Sequence, residues 1–334
     1  MSALPETTEM PEAGAANGAA QVPEAAEAPA YRPLTPRMAL QLAAPHTWAA
    51  AILPALVAVA AAAVTVPAVS VTMACVLLAI CVLMQAAVNT FNDYYDYVKG
   101  ADSAEDNVDP TDAVLVYNNV NPRAALALAI GFLVAAFALG GYVIWAAGWI
   151  PLAIGVVGAA FTVLYSAGKT PLSYLPVGEL VSGAVMGGLI PLACYQALSG
   201  TFDLRALLWA VPTILGVGLI MLTNNTCDVE KDIEAGRRTL PMLLGRERAR
   251  ALYHAVVFAW VAAIVVLVAG YFTNGLIVMP FMLLAAYPLL AALLKNPLAP
   301  ASRIAAMSQI CGVNVVLGAF YAAAILASGI VLTV

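Results

Sequence analysis

Charged residues are scarce in this chain. Asp, Glu, Lys and Arg make up only 10% of its 334 residues, whereas hydrophobic residues make up 63% and the mean hydropathy is +0.91. An ordinary soluble domain carries roughly a quarter charged residues. The shortage therefore excludes such a domain and indicates a protein that crosses a membrane several times. We expect an all-α, polytopic membrane protein.

Residues typical of histidine and thiolate metal sites are also few. The two histidines, His46 and His254, lie too far apart in sequence to indicate a histidine-based site. The five cysteines show no Cys-x-x-Cys spacing and lie mostly in apolar runs. We predict that they are small packing residues rather than disulfides or zinc ligands. No basic patch indicates a nucleic-acid partner, and no feature indicates an obligatory protein partner.

The first 30 residues contain almost no large apolar side chain. They carry five glutamates and no lysine or arginine. This composition is typical of a disordered segment, and it lacks the basic start and apolar core of a signal peptide. We predict a disordered cytoplasmic tail over 1–35 and a membrane domain over 36–334.

Nine apolar runs follow, each long enough to cross a bilayer. They cover about 48–66, 71–91, 124–145, 147–165, 177–198, 206–226, 251–272, 275–294 and 306–332. If all nine cross, 13 of the 14 Lys and Arg residues fall on one side and only Arg205 falls on the other. The positive-inside rule then places the N-terminus in the cytoplasm and the C-terminus outside. We expect a multi-pass protein embedded in the lipid bilayer of the plasma membrane.

Two acidic stretches each follow directly on a long apolar run. The first, 89–102, contains Asn92, Asp93, Asp96 and Asp102; the second, 224–239, contains Asn224, Asp228 and Asp232. Residues four apart on a helix share a face. Asn92 and Asp96 are therefore predicted to form one polar stripe, and Asn224, Asp228 and Asp232 a second. The charge asymmetry places both stripes on the cytoplasmic side.

Such stripes are typical of two halves of a divalent-metal site. Carboxylate and amide oxygens suit Mg²⁺, which takes one or two carboxylates and fills its other positions with water and substrate phosphate. Two facing stripes would hold Mg²⁺ around a diphosphate, with Asp96, Asp228 and Asp232 as catalytic residues. Four cations are placed in sequence to contact the phosphate oxygens: Lys169, Lys231, Arg237 and Arg238. A site at a membrane helix end suits a lipid diphosphate whose tail lies among the helices.

Other interpretations of these residues remain. Acids in cytoplasmic loops are usually only solvated, but polar residues within a span are costly and tend to be functional, which favours function for the stripes. A cation transporter would place its acids in mid-span, often on broken helices, and only Glu179 near the start of the fifth run approaches that pattern. Tyrosines near the same face fit an interfacial aromatic belt or the stabilisation of a carbocation.

The same stretches resemble the UbiA superfamily of intramembrane aromatic prenyltransferases. The similarity extends over about 40–330, and it is carried by residues 44–48, 92–102, 165–172 and 228–240. Within the superfamily, the chain is most similar to the branch that prenylates 1,4-dihydroxy-2-naphthoate in menaquinone biosynthesis. The Lys99-Gly100 pair before Asp102 is typical of that branch.

The resemblance implies nine helices, with Asp-rich motifs after the second and the sixth. It implies that Mg²⁺ and diphosphate are held by Asn92, Asp96, Asp228 and Asp232, with contributions from Asp93 and Asp102. It implies that Lys169 and Arg238 contact the diphosphate. A polyprenyl group would pass from polyprenyl diphosphate to the aromatic acceptor, with loss of CO₂, giving demethylmenaquinone.

The chain departs from the family pattern at two places. After Asp109-Pro110 the family often has a basic residue in a Gly-Pro-x-Arg-like context, and here both the Gly and the Arg are missing. Thr170 stands where an Arg often follows the Lys of the Tyr-Ser-x-x-Lys motif. Other acceptors therefore stay open as alternatives: 4-hydroxybenzoate, haem or another quinone precursor.

Overall fold

The computed structural model of the chain describes residues 31–100 and 114–329. Within these ranges the regular structure is helical, and the only β-type pairing is an isolated bridge between Arg32 and Val120. The prediction of an all-α protein is confirmed. Most of the predicted tail lies outside the described residues. In its described part, the Arg32 N–H donates to the Asn119 carbonyl at 2.9 Å, so contacts with the helical domain begin before residue 36.

The α-helices of the described ranges are numbered in chain order. They are α1 (Pro36–Leu42), α2 (Ala49–Thr65), α3 (Val71–Lys99), α4 (Val114–Asn118), α5 (Pro122–Ala147), α6 (Ile150–Ser166), α7 (Gly178–Ser182), α8 (Ile190–Ser199), α9 (Arg205–Trp209), α10 (Val211–Cys227), α11 (Val229–Glu234), α12 (Leu240–Leu244), α13 (Arg246–Tyr271), α14 (Met279–Lys295) and α15 (Arg303–Ser328). A π-helical segment, Gly183–Leu189, joins α7 and α8 into one apolar segment, Gly178–Ser199.

Each predicted apolar run corresponds to a helical segment, but the count of nine crossings is not confirmed. In the described part of the chain, six helical segments are long and apolar enough to cross a membrane, and α1 with α2 forms a seventh that is bent by 55°. The remaining two, α6 and α10, have 17 residues each. That length is about 26 Å, shorter than a hydrocarbon core of about 30 Å. The long apolar helices make the chain a multi-pass membrane protein.

Small residues bring the central helices together. On α2, Ala55 and Ala62 are fully buried, and the helix packs against α15 and α8. A β-carbon on Gly318 of α15 would stand only 2.9 Å from Cδ1 of Leu53. Among lipid tails, which are as apolar as the side chains, close backbone approach of this kind supplies the packing energy between helices. The Ala-rich sequence of α2 therefore places it at the centre of the bundle.

The π-helical segment lies against α10 at very short range. A β-carbon on Gly187 would stand 2.5 Å from the backbone nitrogen of Ile214, which only glycine permits. The Thr213 hydroxyl donates to the Gly187 carbonyl at 2.6 Å and satisfies a group in the widened helix. This contact holds the segment that begins at α7 beside α10, whose last turn carries the start of the second acidic stretch.

Candidate functional site

A cavity of about 600 Å³ lies among the helices, and its wall is divided into a polar part and an apolar part. The polar part comes from the C-terminal ends of α3 and α10, the residues that follow α10, and the start of α15. It includes Asn92, Asp93, Asp96, Asn224, Asp228, Lys231, Arg237 and Arg303. The apolar part includes Leu77, Phe137, Ile154, Phe161, Met186 and Ile190. Leu77 and Asp96 are 19 residues apart on α3, about 29 Å along the axis, so the cavity follows most of a membrane helix.

The first acidic stretch forms the last turns of α3. The predicted pairing of Asn92 with Asp96 is present, because Asn92 Nδ2 donates to Asp96 Oδ2 at 2.5 Å. Asn92 Oδ1 in turn accepts from the Ser166 hydroxyl of α6 at 3.4 Å. Gly100, with φ 67°, ends the helix in the left-handed conformation that glycine adopts without strain. The amide thus fixes one carboxylate oxygen of Asp96 while the side chain faces the cavity.

The second acidic stretch is held by an arginine from a distant helix. Arg303 Nε donates to both carboxylate oxygens of Asp228, at 3.0 and 3.1 Å, and its Nη2 donates to Asn224 Oδ1 at 2.7 Å. Both acceptors lie on one face, as their spacing of four residues predicts. Asp228 itself stands between α10 and α11 with non-helical dihedrals, so the helix is interrupted at this carboxylate.

Asp232 lies beyond the interruption and does not line the cavity. It is only 1% exposed, and its Oδ2 accepts from the Thr239 hydroxyl at 2.7 Å. Burial raises the pKa of Asp232 to about 6, against the opposing effects of the Thr239 hydrogen bond and the Arg237 charge. The prediction that Asn224, Asp228 and Asp232 form a single stripe is therefore met for the first two residues, and the third is turned away.

Arg237 connects the two stretches. Its guanidinium lies 3.4 Å from Asp96 Oδ1 and 3.6 Å from Asp232 Oδ1, and it stacks 4.6 Å from the ring centroid of Tyr174. These ion pairs are longer than the hydrogen bonds of Arg303 to Asp228. Arg237 lines the cavity, so its charge is available to a ligand at the polar end.

The remaining predicted residues fall into four groups. Lys231 lines the cavity, and its contact with a diphosphate stays a prediction. Lys169 and Arg238 are exposed and are not part of the cavity wall. Asp93 lines the cavity but is 6% exposed, and it accepts from the N–H groups of Val114 at 2.8 Å and Leu115 at 3.4 Å at the start of α4. Asp102 lies outside the described residues.

Two residues of the polar end were missed by the sequence analysis. Arg303 was counted only among the cytoplasmic cations, although an arginine at the first position of an apolar run on the acidic side was a usable signal. Lys99 was noted only as part of a motif. Its Nζ donates to the Ser166 carbonyl at 2.6 Å and lies 5.2 Å from the Tyr174 ring and 5.3 Å from the Tyr95 ring. Both cations strengthen the positive potential around the carboxylates.

The chemistry of these side chains fits Mg²⁺. In the described part of the chain, no three His, Cys, Asp or Glu side chains converge on one point, and Asp96 and Asp228 each form an ion pair with an arginine. Mg²⁺ requires only one or two direct carboxylates and shares its other positions with water and phosphate. Asp232 Oδ1 is also a buried oxygen that accepts no hydrogen bond from the described residues. Asn92 with Asp96, and Asn224 with Asp228, are the pairs that would hold the ion.

The fold and the site together define a class of protein. Its members are multi-pass helical membrane proteins that carry paired Asn and Asp residues at the ends of two helices. The family model for the UbiA prenyltransferase family matches residues 51–311. The chain belongs to this family, whose members are transferases.

Relatives and a solved structure agree with this assignment. A 1,4-dihydroxy-2-naphthoate octaprenyltransferase from Bacillus subtilis is 33% identical over 68% of this chain and 73% of its own length. One from Mycobacterium tuberculosis is 30% identical over 74% of this chain and 84% of its own. A UbiA homologue from Archaeoglobus fulgidus, bound to DMAPP and Mg²⁺, has a TM-score of 0.58 at 17% identity over 86% of this chain and 99% of its own. At that identity the structural likeness concerns the fold.

Proposed function

We propose that this protein transfers a polyprenyl group from a polyprenyl diphosphate to an aromatic acceptor in a Mg²⁺-dependent reaction. The acceptor that we favour is 1,4-dihydroxy-2-naphthoate. The observation that carries the proposal is the divided cavity: one end has carboxylates, amides and arginines, and the other end is lined mostly by apolar side chains. A lipid with a diphosphate head and a long hydrocarbon tail matches both parts.

The charged end has the groups that a diphosphate needs. Arg237, Arg303 and Lys231 supply cations, and guanidinium groups bind phosphate oxygens in bidentate geometry. Bound Mg²⁺ would neutralise the diphosphate charge and make the diphosphate a better leaving group. The carboxylates of Asp96 and Asp228, each fixed by a neighbouring amide or arginine, would hold the diphosphate head in one position.

The proposed reaction balances without an oxidant. The allylic C–O bond breaks and its electron pair leaves with the diphosphate, while the apolar wall keeps water from the allylic cation. The electron-rich ring attacks the cation and forms a C–C bond at the carbon that carries the carboxylate. The C–COO⁻ bond then breaks, CO₂ leaves, and its electron pair restores the aromatic ring. The product is a prenylated naphthalenediol, the reduced form of demethylmenaquinone.

The named relatives support the naphthoate as acceptor. Two of them, at 33% and 30% identity, are 1,4-dihydroxy-2-naphthoate octaprenyltransferases. The neighbour bound to DMAPP and Mg²⁺ supports a prenyl diphosphate and a divalent cation. One observation favours another acceptor, such as 4-hydroxybenzoate, haem or another quinone precursor: the Gly and Arg that often follow Asp109-Pro110 in the family are missing here.

We also propose that the polar end of the cavity faces the cytoplasm in the plasma membrane. The bias of Lys and Arg towards that side supports this orientation. The opposite ends of α5 and α6 meet at Trp145 and Trp149, which are 82% and 71% exposed. Exposed tryptophans at helix ends are typical of a membrane interface, so these residues support a boundary on the outer side.

The proposal is tested by product analysis. Purified protein in lipid nanodiscs receives Mg²⁺, polyprenyl diphosphates of several lengths and either 1,4-dihydroxy-2-naphthoate or 4-hydroxybenzoate, and mass spectrometry identifies the product. We expect a prenylated, decarboxylated naphthalenediol, and no product after chelation of Mg²⁺. A product from 4-hydroxybenzoate alone would replace the favoured acceptor, and no prenylation of any aromatic compound would refute the proposed function.

A further inference from the structure

Glu179 is a buried carboxylate that the charged end of the cavity does not use. It lies at the start of α7 and is only 7% exposed. Its Oε1 accepts from Asn225 Nδ2 at 2.8 Å, whereas Oε2 is buried and accepts no hydrogen bond from the described residues. A carboxylate at the edge of a membrane segment is costly to bury, and such residues are usually functional.

Asn225 connects Glu179 to the cavity. It lies on α10, lines the cavity and is 4% exposed. Because its amide nitrogen points to Glu179, its Oδ1 is the atom left to accept a hydrogen bond, and no described residue donates one to it. Its neighbour Asn224 differs, since Asn224 Oδ1 already accepts from Arg303. The Asn224 amide therefore contacts Arg303 at the charged end, whereas the Asn225 amide contacts Glu179.

Tyr165 supplies a donor beside the same residues. Its ring lines the cavity, and its hydroxyl is buried without a hydrogen-bond partner among the described residues. The hydroxyl lies 3.7 Å from the position that a β-carbon on Gly178 would take, next to Glu179 in the chain. An acceptor oxygen on Asn225 and a donor hydroxyl on Tyr165 thus lie at the same end of α7.

We propose that Asn225 and Tyr165 bind a ring hydroxyl of the aromatic acceptor, and that Glu179 is a positioning residue that orients Asn225. A phenolic hydroxyl donates one hydrogen bond and accepts another, which matches this pair of groups. This inference rests on the proposed function, because it names the acceptor subsite of the same cavity. It adds Glu179, Asn225 and Tyr165, which belong neither to the acidic pairs nor to the arginines of the polar end.

The charges also set the orientation of the acceptor. The carboxylate of Glu179 would repel a carboxylate of the acceptor, so the acceptor turns towards α7 the hydroxyl that lies away from its carboxylate, the 4-hydroxyl of the naphthoate. Its own carboxylate is then directed to the cations of the polar end, such as Arg303 and Lys231. This places the carbon that loses CO₂ nearest to the departing diphosphate. A ring without the hydroxyl leaves buried polar groups unpaired and is selected against.

The test measures the KM of the acceptor and the KM of the polyprenyl diphosphate separately. Steady-state kinetics give KM for the acceptor and KM for the polyprenyl diphosphate in Glu179→Met and Tyr165→Phe, which remove the hydrogen-bonding group but keep a side chain of similar size. We expect the acceptor KM to rise about tenfold in each variant, the value of one hydrogen bond of about 1.4 kcal/mol. The KM and the Mg²⁺-dependent binding of the polyprenyl diphosphate stay unchanged. Glu179→Asp should recover part of the acceptor affinity.

A matched control removes a buried hydroxyl elsewhere. Tyr253 pairs with the Thr223 hydroxyl at 3.0 Å and does not line the cavity, so Tyr253→Phe should change neither KM. The inference is overturned if the acceptor KM is unchanged in both Glu179→Met and Tyr165→Phe while the wild type prenylates the naphthoate. It is also overturned if diphosphate binding falls together with acceptor affinity. A wild type that prenylates no aromatic compound refutes the proposed function, and this inference with it.

Discussion

The two acidic stretches have the same spacing but are held in different ways. On α3, an amide holds the carboxylate: Asn92 donates to Asp96, and the Arg237 guanidinium is 3.4 Å away. On α10, a guanidinium holds the carboxylate: Arg303 donates to Asp228 through one nitrogen and to Asn224 through another. One stretch is therefore fixed within its own helix and the other from 75 residues away.

This difference teaches which part of the site is pre-formed. A guanidinium that binds a carboxylate neutralises it at close range and orients it before any ligand arrives. The ion pair between Arg237 and Asp96, at 3.4 Å, is longer than the ion pair between Arg303 and Asp228, at 3.0 Å. We infer that the α10 side provides a fixed half of the site and the α3 side provides the more adaptable half.

Removing either carboxylate should give the largest effect. Asp96→Ala and Asp228→Ala each delete a charge at the place where the diphosphate leaves, so we expect the transfer rate to fall by roughly a factor of 10³. The measurement is prenyl transfer by the purified variants in nanodiscs. Gel filtration checks that each variant remains assembled. Wild-type rates in either folded variant would contradict the role given to that stretch.

Removing the arginine beside each acidic stretch should lower the stability of the protein by a different amount. Arg303→Met leaves Asp228 without its partner in a mostly buried site, which should cost about 2 kcal/mol, less than a fully buried pair because the cavity admits water. Arg237→Met removes two longer ion pairs, at 3.4 and 3.6 Å, and a stacking contact with Tyr174, and should cost less, about 1 kcal/mol. Thermal unfolding in detergent, without Mg²⁺, measures both.

Mg²⁺ sharpens this comparison. A cation that binds at Asp228 would replace the lost positive charge, so Mg²⁺ should restore the stability of Arg303→Met more than that of Arg237→Met. Equal losses of stability in the two variants, with no difference in the effect of Mg²⁺, would show that the two stretches are not held differently.

The four cations predicted to contact the diphosphate should differ in their effect on its binding, according to whether they line the cavity. Arg237→Ala and Lys231→Ala remove residues of the cavity wall, so KM for the polyprenyl diphosphate should rise about tenfold in each. Lys169→Ala and Arg238→Ala change exposed residues outside the wall and should have an effect below about twofold. The four single variants form a matched set in one kinetic assay. A larger effect from Lys169→Ala than from Arg237→Ala would favour the family-derived assignment over the cavity geometry.

Asp93 should give the smallest effect. It caps the start of α4 through two N–H groups, so Asp93→Ala should cost about 1 kcal/mol of stability. Asp93→Asn keeps an oxygen that can accept and should recover most of this loss. Thermal unfolding and prenyl transfer are measured together. A folded Asp93→Asn that is as inactive as Asp96→Ala would instead support the predicted role of Asp93 in binding metal.

Contacts within one helix were predictable from the sequence, and contacts between helices were not. The pairing of Asn92 with Asp96 follows from the period of the α-helix, as does the shared face of Asn224 and Asp228. The interruption at Asp228 turned Asp232 towards Thr239 and Arg237, and no periodicity argument predicts such a break. Arg303 depends on the packing of α15 against α10, which the order of residues does not specify.

The span count and Glu179 show the same limit. Hydropathy located every apolar segment, yet α6 and α10 are shorter than the runs indicated because they begin later, at Ile150 and Val211, each followed by a proline. Glu179 stood out in the sequence as an acid near the start of an apolar run. Its partner Asn225, 46 residues away, became visible only when the π-helical segment placed α7 against α10.

The most direct test of the two-part diphosphate site is the equilibrium binding of geranylgeranyl diphosphate to the protein in nanodiscs. It is measured with Mg²⁺ and with a chelator, for the wild type, Asp96→Ala and Asp228→Ala. We predict tight binding by the wild type only with Mg²⁺, and a loss of at least about tenfold in each variant. Binding that is the same with and without Mg²⁺, and unchanged in both variants, would contradict the proposal that the two acidic stretches together hold the diphosphate.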